Sequence, residues 1–132
     1  MAQKIVKHVK DMVAEANKEV EITPVVDASK YFEDGQYVFV DIRDPREIHR
    51  EGKIPNSFSC PRGMLEFWID PDSPYHKDMF NQDKKYVFYC AAAGRSALAA
   101  KAAQDMGLKP VSHLEGGFAA WKKSGNPEET KE

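Results

Sequence analysis

Cys60 and Cys90 are the two thiols of this chain, and the residues around them differ. Cys90 closes the run Tyr86-Val87-Phe88-Tyr89, aromatic and β-branched as a buried strand is, and opens the loop Ala91-Ala92-Ala93-Gly94-Arg95-Ser96. An alanine-rich segment of helical composition follows and stops at Gly107. Strand, small-residue loop and helix is the order in which open α/β sheets build ligand sites. Side chains this small let the backbone curl around the sulfur and turn its amide hydrogens inward as an anion-binding nest. The helix adds the positive end of its dipole, and Arg95 adds a permanent charge. All three favour a thiolate over a thiol, so Cys90 is expected to be an exposed, activated nucleophile. Ala91, Ala92, Ala93, Gly94, Arg95 and Ser96 are then its substrate-binding groups.

Other residues with chemical potential have weaker settings. Asp41 and Arg43 end a second buried strand one residue apart on the same face, and are read as a charged support for the Cys90 loop or its rim. Cys60, in Ser57-Phe58-Ser59-Cys60-Pro61-Arg62-Gly63, has nothing in sequence that places it near Cys90 and is read as a structural thiol, with Arg62 a solvated loop charge. His8, His49, His76 and His113 lie in different segments with no metal-ligand spacing, so no metal is assigned and no cofactor is called for. Trp68 and Trp121 are read as core or pocket-wall residues.

The elements that must position these groups read as an α/β domain with a mainly parallel sheet between helical layers. Ile5, Val6, Val9, Met12, Val13, Ala16 and Val20 recur at three- and four-residue spacing, which predicts an amphipathic helix over 1–20. Its apolar stripe packs on the domain or meets a partner or a second copy. Thr23-Pro24 predicts a helix start, with Thr23 as N-cap, for a short helix through about Phe32. Strands are expected at 37–42, 86–89 and 111–114, and helices over 96–106 and 118–123. Between 52 and 83, four prolines exclude long helices and leave at best a short one at 65–69. The main domain spans 21–127, and 128–132 is a charged, frayed tail.

Composition sets bounds on function. With 132 residues the chain suits one core, and 19 Lys+Arg against 21 Asp+Glu give no general attraction for nucleic acid or an acidic membrane. Lys4, Lys7 and Lys10 break any leading apolar stretch, and no membrane-spanning run follows, so a cytoplasmic protein with reduced thiols is expected.

Three stretches together resemble the rhodanese domain, from about Glu21 to Pro127. The first is VDIRDPREIHREGKIPNSFSCP, similar to that family's entry motif of strand, Asp-x-Arg, an acidic residue and Gly-x-Ile-Pro; Lys53 stands where the family commonly has His, and Asn56 where it has Gly. The second is the loop CAAAGRS, and the third is HLEGGFAAWKKSGNP, similar to the closing Gly-Gly, Trp and Gly-x-Pro motif. The resemblance implies a rhodanese-like three-layer domain, with a mainly parallel sheet of about five strands flanked by helices. It also implies a ping-pong sulfurtransferase: Cys90 takes a sulfane sulfur from a donor as a persulfide and passes it to an acceptor. A ring of amide hydrogens suits the anionic outer sulfur without supplying a competing nucleophile.

Two other readings stand beside this one. Cysteine-based phosphatases and arsenate reductases also use a thiolate in an amide-lined loop ending in Arg, but four residues separate Cys90 from Arg95 where the phosphatases of this fold have five. The shorter ring suits a single sulfur better than a tetrahedral phosphate. A non-catalytic docking module is the second, and the presence of both Cys90 and Arg95 counts against it. Arg95 in a neutral loop favours a small anionic sulfur donor such as thiosulfate; the acceptor is a thiol, cyanide or a protein.

Overall fold

The computed structural model describes residues 2–130. Its strands are β1 (Glu21–Thr23), β2 (Tyr37–Asp41), β3 (Phe58–Ser59), β4 (Lys85–Tyr89) and β5 (Val111–Leu114). Its helices are α1 (Val9–Glu19), α2 (Val25–Ala28), α3 (Pro45–Glu51), α4 (Leu65–Ile69), α5 (Gly94–Asp105) and α6 (Gly117–Lys123). The strands form one five-stranded sheet in the order β1-β5-β4-β2-β3, and every pairing is parallel.

The apolar strand runs explain this arrangement. Four of the five residues in β2 and in β4 are buried, as is all of β5, because a parallel sheet carries helices on both faces. Alternate residues feed two cores. Val38, Val40, Ile42, Tyr86, Phe88 and Cys90 join Leu65 and Ile69 of α4 and the small residues Ala99, Ala100 and Ala103 of α5. Phe39, Val87, Tyr89 and Leu114 face the other way onto Ala28, Phe118 and Trp121. The result is the three-layer α/β architecture expected from the sequence.

Several boundaries differ from the sequence reading. The first helix begins at Val9, not at the chain start, and buries only the C-terminal part of its stripe: Ala16 and Val20 are covered, while Ile5, Val6, Val9 and Met12 are exposed. Periodicity marks a helical face but not how much of it meets a neighbour. Met1 of the predicted helix lies outside the described residues. Thr23 is not a cap: it ends β1, where its Oγ1 lies 2.6 Å from Ser112 Oγ, and Pro24 takes the N-cap position of a helix only four residues long. The chain beyond Pro127 is not frayed throughout, since Lys53 and Glu129 exchange backbone hydrogen bonds of 2.9 and 2.8 Å. Lys131 and Glu132 lie outside the described residues.

The helix α3 has no counterpart in the sequence reading, although Asp44-Pro45-Arg46-Glu47 is a capping box. Asp44 accepts the Arg46 amide at 2.8 Å while Glu47 Oε1 accepts the Asp44 amide at 3.2 Å, and Pro45 fills the first helical position. This helix carries Glu47 to the Cys90 loop.

Candidate active site

β4 delivers Cys90 to the C-terminal end of the sheet, and the twelve-residue helix α5 starts four residues later at Gly94. Cys90 Sγ accepts the Ser96 N–H at 3.4 Å and lies 3.5 Å from Ser96 Oγ. The amides of Ala91, Ala92, Ala93, Gly94 and Arg95 donate to no protein acceptor among the described residues. These donors lie where α5 begins, and unpaired amides at a helix start favour an anion.

The loop is held from behind by α6. The Phe118 and Ala119 amides donate to the Cys90 and Ala91 carbonyls at 2.8 and 3.0 Å. Gly117, with φ +63°, lies so close that an added Cβ would sit 2.6 Å from the Cys90 carbonyl oxygen and closer still to that of Ala92. Only glycine fits both that backbone conformation and that approach.

Cys90 itself is 1% exposed, which corrects the expectation of an exposed nucleophile. The contacts that pin the loop also cover the thiol, and exposure passes to Ala92 and Arg95.

Arg95 is placed at the mouth of the loop, but its fork is engaged. Nη1 and Nη2 donate to the two Glu47 carboxylate oxygens at 2.8 and 3.0 Å. That pairing raises the Arg95 pKa and holds the Glu47 carboxyl below its usual range, in each case chiefly through the hydrogen bonds between them. Sequence reasoning missed Glu47; the capping box would have placed it at the first turn of a helix, though not its partner.

Asp41 and Arg43 are buried at 0% and 1% exposure and pair in the fork geometry, Arg43 Nε and Nη2 donating to Oδ1 and Oδ2 at 2.9 and 2.7 Å. Burial works against the Arg43 charge, yet the hydrogen bonds to Asp41 and the negative charge of that carboxylate and its neighbours together outweigh it and raise the pKa. Nη2 also donates to the Gly52 carbonyl at 2.7 Å, and the guanidinium carbon lies 4.6 Å from the Phe118 ring centroid. The pair thus touches a residue whose own amide donates to the Cys90 carbonyl.

Behind Ser96 lies a residue whose role the sequence does not suggest. His113, on β5 and 1% exposed, places Nδ1 3.1 Å from Ser96 Oγ and Nε2 2.7 Å from Asn17 Oδ1 on α1. Burial lowers its pKa. Cys60 stands apart from these contacts: its thiol approaches the Pro61 carbonyl at only 3.9 Å, and burial pushes its pKa up to about 12.

A hollow of about 310 Å³ adjoins the loop, lined by Arg43, Glu47, Arg50, Ala91, Phe118 and Lys122 among others. A larger groove of about 380 Å³ lies at the opposite end of the sheet, around Thr23, Tyr37, Lys85 and Pro110. In open α/β sheets ligands meet the carboxyl ends of the strands, so the smaller hollow is the relevant one.

Comparison with known proteins agrees with this geometry. RPA3614 of Rhodopseudomonas palustris, described as a protein of unknown function and possible tyrosine phosphatase, is 60% identical and superposes with a TM-score of 0.95 over 98% of this chain and 99% of its own. The putative sulfurtransferase YtwF of Bacillus subtilis is 30% identical over 107 residues, which span 81% of this chain and 94% of that protein. The polysulfide-sulfur transferase homodimer of Wolinella succinogenes is 29% identical with a TM-score of 0.69, over 92% of this chain and 87% of its own. Some curated relatives are longer, and the chain spans 45% of an uncharacterized Synechocystis protein. The model of the rhodanese-like domain matches residues 25–124, a stretch that includes β4, the Cys90 loop and α5. The chain therefore belongs to the rhodanese-like domain family.

Proposed function

We propose that the protein is a sulfurtransferase that carries a sulfane sulfur as a persulfide on Cys90, taken from a small anionic donor of the thiosulfate type. The observation that carries this reading is the set of five successive amides, Ala91 to Arg95, without protein acceptors beside a cysteine at the start of a twelve-residue helix. In the first half-reaction the Cys90 thiolate attacks the outer sulfur of the donor. A new S–S bond forms, and the old bond to that sulfur breaks with its electron pair leaving on the donor remnant, which is sulfite when the donor is thiosulfate. The transferred sulfur keeps a negative charge, which the loop amides and the helix start favour. In the second half-reaction an acceptor, such as cyanide, a thiol or a protein nucleophile, attacks the outer sulfur and Cys90 leaves as thiolate.

Arg95 in this reading meets the donor's oxygens at the mouth of the loop, exchanging Glu47 for them. Asp41 and Arg43 keep the loop in place through Phe118. Both cysteines are free, which suits work in a reducing compartment such as the cytoplasm.

The description of the Rhodopseudomonas palustris relative as a possible tyrosine phosphatase gives the phosphatase reading its support. One experiment separates the two. Intact-mass measurement after incubation with thiosulfate should show one added sulfur, absent from Cys90→Ser and lost on adding cyanide. Hydrolysis of an aryl phosphate that depends on Cys90, without any gain of sulfur, would replace this reading with the phosphatase one.

A further inference from the structure

A thiol that is 1% exposed must give up its proton to become a nucleophile, and bulk water has little access to it. The protein places one line of polar groups against the sulfur: Cys90 Sγ, Ser96 Oγ at 3.5 Å, His113 Nδ1 at 3.1 Å from that hydroxyl, and Asn17 Oδ1 at 2.7 Å from His113 Nε2. Ser96 is 0% and His113 1% exposed, so both sit in the interior without the packing role of an apolar residue. Buried polar groups of this kind are retained only when their hydrogen bonds are satisfied.

The proton positions follow from the acceptor at the far end. The Asn17 side-chain oxygen can only accept, so Nε2 carries the hydrogen and donates to it; Nδ1 of the neutral ring is then an acceptor, and the Ser96 hydroxyl, which donates to the Ala93 carbonyl at 3.0 Å, has Nδ1 at 3.1 Å as its second acceptor. The Ser96 oxygen keeps lone pairs for the Cys90 S–H.

We propose that His113 accepts the proton of the Cys90 thiol through the Ser96 hydroxyl, with Asn17 fixing the ring for that task. The proposal rests on the reading of Cys90 as the sulfur carrier and adds to it the path of the proton. The Ser96 hydroxyl turns its hydrogen from the Ala93 carbonyl to Nδ1, and as the thiol passes its hydrogen to Ser96 Oγ, the hydroxyl passes its own to that nitrogen. No electrons change hands: a thiol and an imidazole become a thiolate and an imidazolium, with the Ser96 hydroxyl now donating to sulfur. His113 touches no reacting atom and is a positioning residue for the proton. The line ends at α1, so the N-terminal helix is a working part of the site. Val13 of that helix also lies 3.9 Å from where a Cβ at Gly94 would stand.

The charged groups around this line are few. Arg95 and Glu47 pair at the mouth, Asp41 and Arg43 pair at the end of β2, and Lys101 pairs with Glu19 and Asp105 on the outer surfaces of α1 and α5. Neighbouring strands present Ile22 and Phe88 in register with His113, both apolar. Burial alone displaces the ring's pKa, which keeps it a neutral acceptor before the thiol ionises.

The test measures alkylation of Cys90 by iodoacetamide, followed by peptide mass, from about pH 6 to about pH 10, the range of ordinary thiol ionisation. In His113→Asn the side-chain oxygen can still accept from Ser96 but is not a base, and Ser96→Ala breaks the path. Both should react about ten-fold more slowly than wild type at neutral pH, a modest general-base effect because a thiol is already a fair acid, and should converge with it at high pH. Parallel profiles offset equally at every pH, or full recovery in His113→Asn, would overturn the relay and leave a structural role. In the wild type, nitrogen NMR of the His113 ring should show its titration moving down by about one pH unit once Cys90 is alkylated, because the two sites are coupled. An unmoved titration would also overturn it, and this measurement needs no variant to fold. Neither readout uses a sulfur donor. Failure to gain sulfur from thiosulfate would sink the proposed function and leave the relay standing, and the converse result would do the opposite.

Discussion

Cys90 and Cys60 both lie just past the ends of parallel strands, both are buried, and both belong to the same apolar core. Burial does not tell them apart. The segment beyond each strand does. After Cys90 come small residues, free amides and a twelve-residue helix, and the sulfur receives an N–H from Ser96. After Cys60 come Pro61, which has no N–H to offer, a single 3-10 turn at Arg62–Met64, and a helix of only five residues. Burial then raises the Cys60 pKa to about 12, so that thiol stays protonated and inert at neutral pH. The two cysteines differ in the backbone beyond the strand, not in access to solvent.

The strongest test of that contrast is to remove each sulfur. Cys90→Ser should lower sulfur transfer from thiosulfate to cyanide by about 10³-fold or more, since no other group in the loop can hold the transferred atom. Cys60→Ser should keep transfer within about two-fold of wild type while costing about 1–3 kcal/mol of stability, because its hydroxyl would be buried near a carbonyl that the thiol reaches only at 3.9 Å. Comparable loss of transfer in both variants would make Cys60 a relay thiol and break the comparison.

A second test moves the Cys90 loop without touching its side chains. Gly117→Ala adds one carbon against the Cys90 and Ala92 carbonyls and forces a left-handed backbone on alanine, which should cost about 2–4 kcal/mol. Chemical denaturation reads that loss, and alkylation of Cys90 in the folded fraction should slow while the Cys60 region stays unchanged. At Gly63, just beyond Cys60, an added Cβ would meet nothing within 4 Å, and Gly63→Ala should be nearly silent. Equal effects at the two glycines would show that α6 does not hold the loop.

What the sequence made legible was what is contiguous in it. Tyr86 to Ser96 reads as strand, loop and helix start because composition, periodicity and glycine placement all lie within one window, and β2 and β5 are legible for the same reason. β1 and β3, of three and two residues, are too short for a periodic signal and exist only as partners of β5 and β2. The parts of the site that come from elsewhere are hidden by distance along the chain. Glu47 meets Arg95 across 48 residues, and Asn17 meets His113 across 96. In sequence His113 is one of four scattered histidines, because its partners are set by the parallel order of the sheet. Periodicity overextends the first helix because Ile5 and Val6 keep the spacing of the buried stripe while facing solvent.

The smallest expected effects concern charge, and they sharpen the comparison because each cysteine has an arginine–glutamate pair nearby. Arg62 donates to Glu66 at 2.8 Å within one turn, whereas Arg95 grips both oxygens of Glu47 from a different helix. Arg95→Ala should therefore weaken use of thiosulfate by about ten-fold, the low end of a charge-assisted contact because the guanidinium is half exposed and must first release Glu47. Arg95→Lys should recover only part, since an ammonium does not present the planar fork that meets two oxygens. Arg62→Ala should change KM by less than about two-fold, since surface pairs contribute little. Glu47→Gln frees the Arg95 fork and removes a competing anion, so KM for thiosulfate should fall a few-fold, by about the worth of one exposed pair. The same pair gives a small pH signature. The folded-state pKa of Glu47 lies below the ordinary 4.5, so its contribution to stability is present above that value and is lost as pH falls through the lowered one. Stability of Glu47→Gln should accordingly be lower than wild type at neutral pH by about 1 kcal/mol at most and approach it in acid. Unchanged KM in both Arg95→Ala and Glu47→Gln would remove Arg95 from the donor site and leave it as a clamp between α3 and the start of α5.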